Sequence, residues 1–174
     1  TKALEFDLPV KQGKVQVEGD VCYLSLVERH RGTGAVVNGF VSGFGYTGSM
    51  AIASSVAHDS HHMIVVGTNQ EMMACAANRL GEVGGGVSLW KDGSEVALVE
   101  LPIAGLMSDS KASDVAVKAQ AIVSAMIDCG CTLNNAYMQH TLLALVVIPE
   151  LRISDLGLVD VNRFELTKII ETNS

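Results

Sequence analysis

At 174 residues, 48% apolar and 18% charged, the chain is long enough to bury a core of its own and too apolar to be disordered. Its formal net charge of −7, with no run of basic residues, disfavours nucleic acid as a partner, because phosphates are held by clustered Lys and Arg. The longest apolar run, LLALVVIP from Leu142 to Pro149, is far too short to cross a membrane, and the start TKALEFDLPV has charges where a signal peptide needs an apolar stretch.

In chain order, KVQVE alternates and VCYLSLVE is rich in β-formers, so residues 14 to 29 read as two strands turned by Gly19-Asp20. AVVNGFVSGF, Ala35 to Phe44, reads as a strand with glycine kinks. SMAIASSVA, Ser49 to Ala57, is small and apolar, as a strand buried on both faces is. HHMIVVGT, His61 to Thr68, is a further strand. Thr68-Asn69 then offers a helix cap, with Glu71 in the first turn and Met72, Cys75, Ala76, Leu80 and Val83 at helical spacing. Gly84-Gly85-Gly86 ends that helix. GVSLWKDG and SEVALVELP form a hairpin around Asp92-Gly93. An amphipathic helix follows from Ser113 to Gly130. MQHTLLALVVI fits either a helix or a strand, ELRISDLGLVDV reads as loop, and FELTKII as a last strand. The expected fold class is α+β: one domain over residues 1–174, mostly antiparallel β-sheet packed with two or three helices.

Cys22, Cys75, Cys129 and Cys131 share no zinc or disulfide spacing. They read as reduced, mostly buried thiols, which fits a cytoplasmic location. GFGYTGS, Gly43 to Ser49, has the glycines of a phosphate loop but neither its Lys-Ser/Thr ending nor a following helix, so that reading is discarded. In ERHRGTG, Arg29 or Arg31 can hold an anion, although a solvated loop is the simpler account. His140 lies in an apolar stretch and reads as a core histidine with one hydrogen bond. The densest polar cluster is SSVAHDSHH, Ser54 to His62. His58 and His61 can bind a metal as neutral imidazoles or exchange protons near neutral pH, and Asp59 can orient either ring. The alternative is a polar turn that satisfies its own backbone. Spacing alone favours it, because His-Asp-Ser-His matches no metal pattern.

Several of these stretches, taken in order, resemble one family. SSVAHDSHHMIVVGTNQEMMACAANRL, with ERHRGTG and GFVSGFG upstream and GGGVSL, LPIAGLMSD and VIPELRISDLGLVDV downstream, is similar to the carboxy-terminal segment of the bacterial and archaeal adenine deaminases of the amidohydrolase superfamily. The resemblance runs from about Val27 to Val161. It implies part of a cytoplasmic purine-salvage hydrolase that converts adenine and water to hypoxanthine and ammonia. It also implies a divalent metal, manganese or iron, held by a (β/α)₈ barrel. The present chain is too short for that barrel and lacks the His-x-His strand motif, so no metal is expected in it. The family's HDSHN is HDSHH here, with His62 in place of Asn. Two roles are implied: a domain that completes the active site through His58, Asp59 and His61, or a packing and homo-oligomerisation domain. A stand-alone small-molecule binding module is a third. The expected partners are the barrel of the parent enzyme and its substrate adenine, with no nucleic acid and no membrane.

Overall fold

The structure, a computed structural model, describes residues 1–169. A short hairpin comes first, β1 (Val10–Lys11) and β2 (Lys14–Val15). There follow β3 (Val21–Val27), β4 (Val36–Ser42), β5 (Met50–Ser54), β6 (Met63–Gly67), α1 (Gln70–Val83), β7 (Gly86–Lys91) and β8 (Ser94–Glu100). After them come α2 (Ala112–Asp128), α3 (Ala136–Thr141) with a single 3-10 turn at Leu142–Ala144, and a meander of β9 (Leu151–Ser154), β10 (Gly157–Asp160) and β11 (Glu165–Thr167). The main sheet has six strands in the order β4-β3-β6-β5-β7-β8, and every neighbouring pair is antiparallel. The α+β expectation holds, with three helices among the described residues.

The sheet is covered on both faces, and β5 shows why its sequence is apolar without a break: all five residues are buried. Ala51 and Ala53 join Val65 of β6 under Met73, Ala76 and Leu80 of α1. The alternate residues Met50 and Ile52, with Leu24, Leu26, Ile64 and Val66, meet Ile122, Ala125 and Met126 of α2 and Ile153 of β9. The period of two along each strand sorts these side chains to opposite faces. Large core side chains such as Leu80 and Met126 each contribute about 1.5–3 kcal/mol by leaving water.

α1 begins where Asn69 accepts the backbone N–H groups of Glu71 and Met72 at 2.9 and 3.1 Å, and it ends at Gly84, whose φ is 84°. The inward stripe is Met73, Ala76 and Leu80, with Met72, Cys75 and Val83 half-buried at its edges. Both sets have helical spacing, and the contact with β5 selects the one led by Met73. Asp92 and Gly93 both have positive φ, the geometry of a tight hairpin turn.

Three readings change. Of KVQVE only Lys14–Val15 is strand, and it pairs back to β1; Tyr23 ties that hairpin to the main sheet by donating its hydroxyl to the Val15 carbonyl at 2.8 Å. MQHTLLALVVI starts as α3 and its 3-10 turn. ELRISDLGLVDV is not loop but the β9–β10 hairpin, whose Ile153 is fully buried. Of FELTKII, Glu165–Thr167 is strand, and Ile170 lies outside the described residues. The four cysteines are free thiols; Cys22, Cys129 and Cys131 are buried and Cys75 is half-buried. Burial pushes the Cys22 thiol up to about 12, which makes it inert as a nucleophile.

Candidate functional site

The SSVAHDSHH loop joins β5 to β6, as its place between two apolar strands suggests. Four other segments lie at the same end of the sheet, three placed by the antiparallel register and the β9–β10 turn by Asp155, 3.8 Å from His62. These are Glu28–Gly34 after β3, the Gly84–Gly86 turn before β7, the Leu101–Met107 loop after β8, and the turn between β9 and β10.

Glu28 organises the first of these. Its carboxylate accepts the N–H groups of His30, Arg31 and Thr33 and the Thr33 hydroxyl, at 2.6, 2.8, 3.1 and 2.8 Å. The Thr33 and Arg31 N–H bonds hold its pKa down to about 2. ERHRGTG is therefore not simply a solvated loop. His30 Nε2 donates to the Ser60 carbonyl at 2.6 Å. Arg29 donates from Nε to the His61 carbonyl at 2.5 Å and from Nη2 to the Ala104 carbonyl at 3.0 Å.

His58 and His61 come together, with ring centroids 5.3 Å apart. His61 Nδ1 accepts the Ala57 N–H at 3.3 Å, so the neutral ring carries its proton on Nε2. Burial, then the neighbouring His58 and Arg29, lower the His61 pKa, which keeps the ring neutral at pH 7. Asp59 is exposed and makes no hydrogen bond to either ring among the described residues, so it does not orient them. His62 is buried. Its ring lies 4.7 Å from that of His30, with Nδ1 4.0 Å from the Glu28 carboxylate and Nε2 3.8 Å from that of Asp155.

Beneath these loops Ser55 is fully buried. Its Oγ accepts the Gly86 N–H at 2.7 Å and donates to the Gly105 carbonyl at 2.7 Å. Gly85 has no room for a side chain here, because a Cβ would fall 2.4 Å from Gly105 Cα. The loop above carries Ile103 and Met107, 45% and 59% exposed, so an apolar rim stands beside the histidines.

These groups offer a neutral imidazole, with its Nε2–H as donor, to whatever lies against this end. They do not make a metal site. Among the described residues no three His, Cys, Asp or Glu side chains are placed to share an ion, and His61 Nδ1 is already engaged by a backbone N–H. Cavities of about 380 and 570 Å³ lie elsewhere, one bordered by Glu18, Tyr46 and Thr68 and the other by Tyr23, Phe40 and Met73.

Sequence reading offers Arg29 only as an anion holder and gives no role to Ser55 or Gly105, because the partners of all three are 31 to 75 residues away. The only local signal was their position inside ERHRGTG, SSVAHDSHH and LPIAGLMSD. His140 is the expected core histidine. Its Nε2 lies 2.8 Å from the Tyr46 hydroxyl, and burial pushes its pKa down to about 3. In the glycine-rich loop Gly43–Ser49 the Gly43 and Gly45 N–H groups donate to the carboxylate of Asp20 at 2.7 and 2.6 Å.

Fold and site thus define an α+β domain with one loop-built end, rich in histidine and open to solvent. A sequence model of the adenine deaminase C-terminal domain matches residues 1–165. The chain is 72% identical to an adenine deaminase of Roseobacter denitrificans over 99% of its own length and 29% of the relative's. It is 67% identical to adenine deaminase 3 of Rhizobium meliloti and 44% identical to the adenine deaminase of Moorella thermoacetica, in each case over 98% of this chain and 29% of the relative. The chain belongs to the adenine deaminase C-terminal domain family, and it spans somewhat under a third of the relatives it matches.

Proposed function

We propose that this domain completes the active site of an adenine deaminase, which hydrolyses adenine to hypoxanthine and ammonia. Its partner is a metal-holding barrel formed by the rest of the polypeptide. The observation that carries this reading is convergence: ERHRGTG, SSVAHDSHH, GGGVSL, LPIAGLMSD and the SDLG turn meet at one end of the sheet. A second body supplies the other wall in this reading, since small-molecule sites are concave. In this reading the metal, manganese or iron, belongs to that body. It supplies a hydroxide nucleophile there, while His58, Asp59 and His61 line the mouth.

The parent enzyme is cytoplasmic in this reading. Among the described residues no helix is long and apolar enough to cross a membrane. A homo-oligomer is supported by the outward side of α2, where Val117 is 71% and Ile127 62% exposed. That face also favours the second reading, in which the domain serves for packing alone.

His61→Ala and Asp59→Ala in the full-length enzyme separate the two. Turnover per folded molecule falls about a hundredfold if the cluster serves the reaction, with stability changed by about 1 kcal/mol. Unchanged turnover in both variants leaves only the packing domain. The isolated chain, given manganese or iron, releases no ammonia from adenine; turnover of about one per second would overturn the two-body reading.

A further inference from the structure

At the loop-built end, two residues other than glycine hold left-handed backbone: His61, with φ 53°, and Ala104, with φ 57°. Their carbonyl oxygens are the two acceptors of one side chain. Arg29 places Nε on the first at 2.5 Å and Nη2 on the second at 3.0 Å. The same guanidinium lies flat against Gly105, where a Cβ would come within 3.0–3.1 Å of three of its atoms. Its own backbone is anchored next door, because Glu28 takes up the N–H groups of His30, Arg31 and Thr33. The fork therefore has a fixed base and two fixed targets, on loops that follow different strands.

We propose that Arg29 is a positioning residue of the deaminase, fixing His61 and the 101–107 loop in the geometry that the reaction uses. The proposal rests on the reading that this end faces the active site. The role assigned to Arg29 is indirect, because its Nε and Nη2 are committed to backbone carbonyls. It acts through those carbonyls. A planar fork can span two acceptors at a set angle, whereas a lysine ammonium is a point donor on a flexible stem. Left-handed backbone at His and Ala persists only where its surroundings enforce it. Without the fork both loops relax, and the His61 ring leaves its place even though every imidazole is still present.

The test compares Arg29→Lys and Arg29→Gln with His61→Ala in the full-length enzyme. Amide hydrogen exchange is followed in 55–62 and 101–107, together with kcat and KM for adenine. In both Arg29 variants exchange in the two loops rises about tenfold or more, while β5, β6 and β7 stay protected. In both, kcat falls at least tenfold and KM moves less than about twofold, the pattern of lost alignment rather than lost binding. Guanidinium ion added at millimolar concentration to Arg29→Ala restores part of the lost kcat.

Protected loops in Arg29→Lys and Arg29→Gln would overturn the proposal, and so would loosened loops with normal kcat where His61→Ala is severely impaired. If His61→Ala is also fully active while the loops loosen, the active-site reading itself has failed. Exchange then shows that Arg29 holds the loops without serving the reaction.

Discussion

Ser55→Ala isolates the hydrogen bonds that knit the loops together. The hydroxyl is fully buried, accepts from Gly86 N–H and donates to the Gly105 carbonyl, both at 2.7 Å. Alanine removes both bonds and leaves a gap of one oxygen. The surroundings leave little room for a replacement water, since a Cβ on Gly85 would already lie 2.9 Å from that oxygen and 2.4 Å from Gly105 Cα. A buried backbone group left without a partner costs about 1–3 kcal/mol. The exposed residues flanking Gly105 let the loop shift somewhat, so the two groups together should cost about 2–4 kcal/mol. For a chain of this size that lowers the melting temperature by about 5–15 °C. Thermal and urea melts of the chain measure it, beside Ser60→Ala as a control; Ser60 is exposed, and its hydroxyl has no hydrogen bond among the described residues. The control should stay within about 0.5 kcal/mol of wild type. Ser55→Ala within the same margin would refute the bonding described here.

Acid should destabilise the domain before its carboxylates titrate. Buried His140 takes its proton only near pH 3 when folded but near 6.5 when unfolded, so the stability it confers is complete above 6.5 and drains away as pH falls toward 3. The lowered pKa of His61 acts in the same direction. For His140 alone, at about 1.4 kcal/mol per pKa unit, the effect reaches a few kcal/mol. Urea melts between pH 6.5 and 4.5 should show the slope, and His140→Gln should flatten it; an unchanged slope would contradict the assignment. Below that, Glu28 contributes stability that is present above about pH 4.5 and lost as pH falls toward 2, so Glu28→Gln should weaken the pH dependence in that window alone. Melting temperatures with and without reductant should agree, because the cysteines are free thiols; a large drop on reduction would mean a disulfide that the structure lacks.

What was legible in the sequence was local. The unbroken apolar stretch of β5, the Asn69 cap of α1 and the Asp92-Gly93 turn each depend on neighbours within a few residues. The β9–β10 hairpin was not, because four-residue strands offer only one full alternation each, and SDLG gives a weak turn signal beside them. His58 and His61 stand out in the sequence because they crowd one loop, and the structure places their ring centroids 5.3 Å apart. Asp59 was assigned an orienting role from adjacency, which the exposed side chain does not perform. The Arg29 fork was invisible for the opposite reason. Its two acceptors are backbone carbonyls 32 and 75 residues away, and a carbonyl leaves no mark on residue type.

The antiparallel sheet also gives the domain a quiet end. Asp92-Gly93 joins β7 to β8 away from the histidines, beside Ser49, whose carbonyl accepts the Asp92 N–H at 2.9 Å. A Cβ on Gly93 would meet nothing within 4 Å. A fluorophore or short tag grafted into that turn sits at one pole of the sheet, with the histidine-bearing loops at the other. The hairpin is thus a handle from which the proposed docking of the opposite end can be followed.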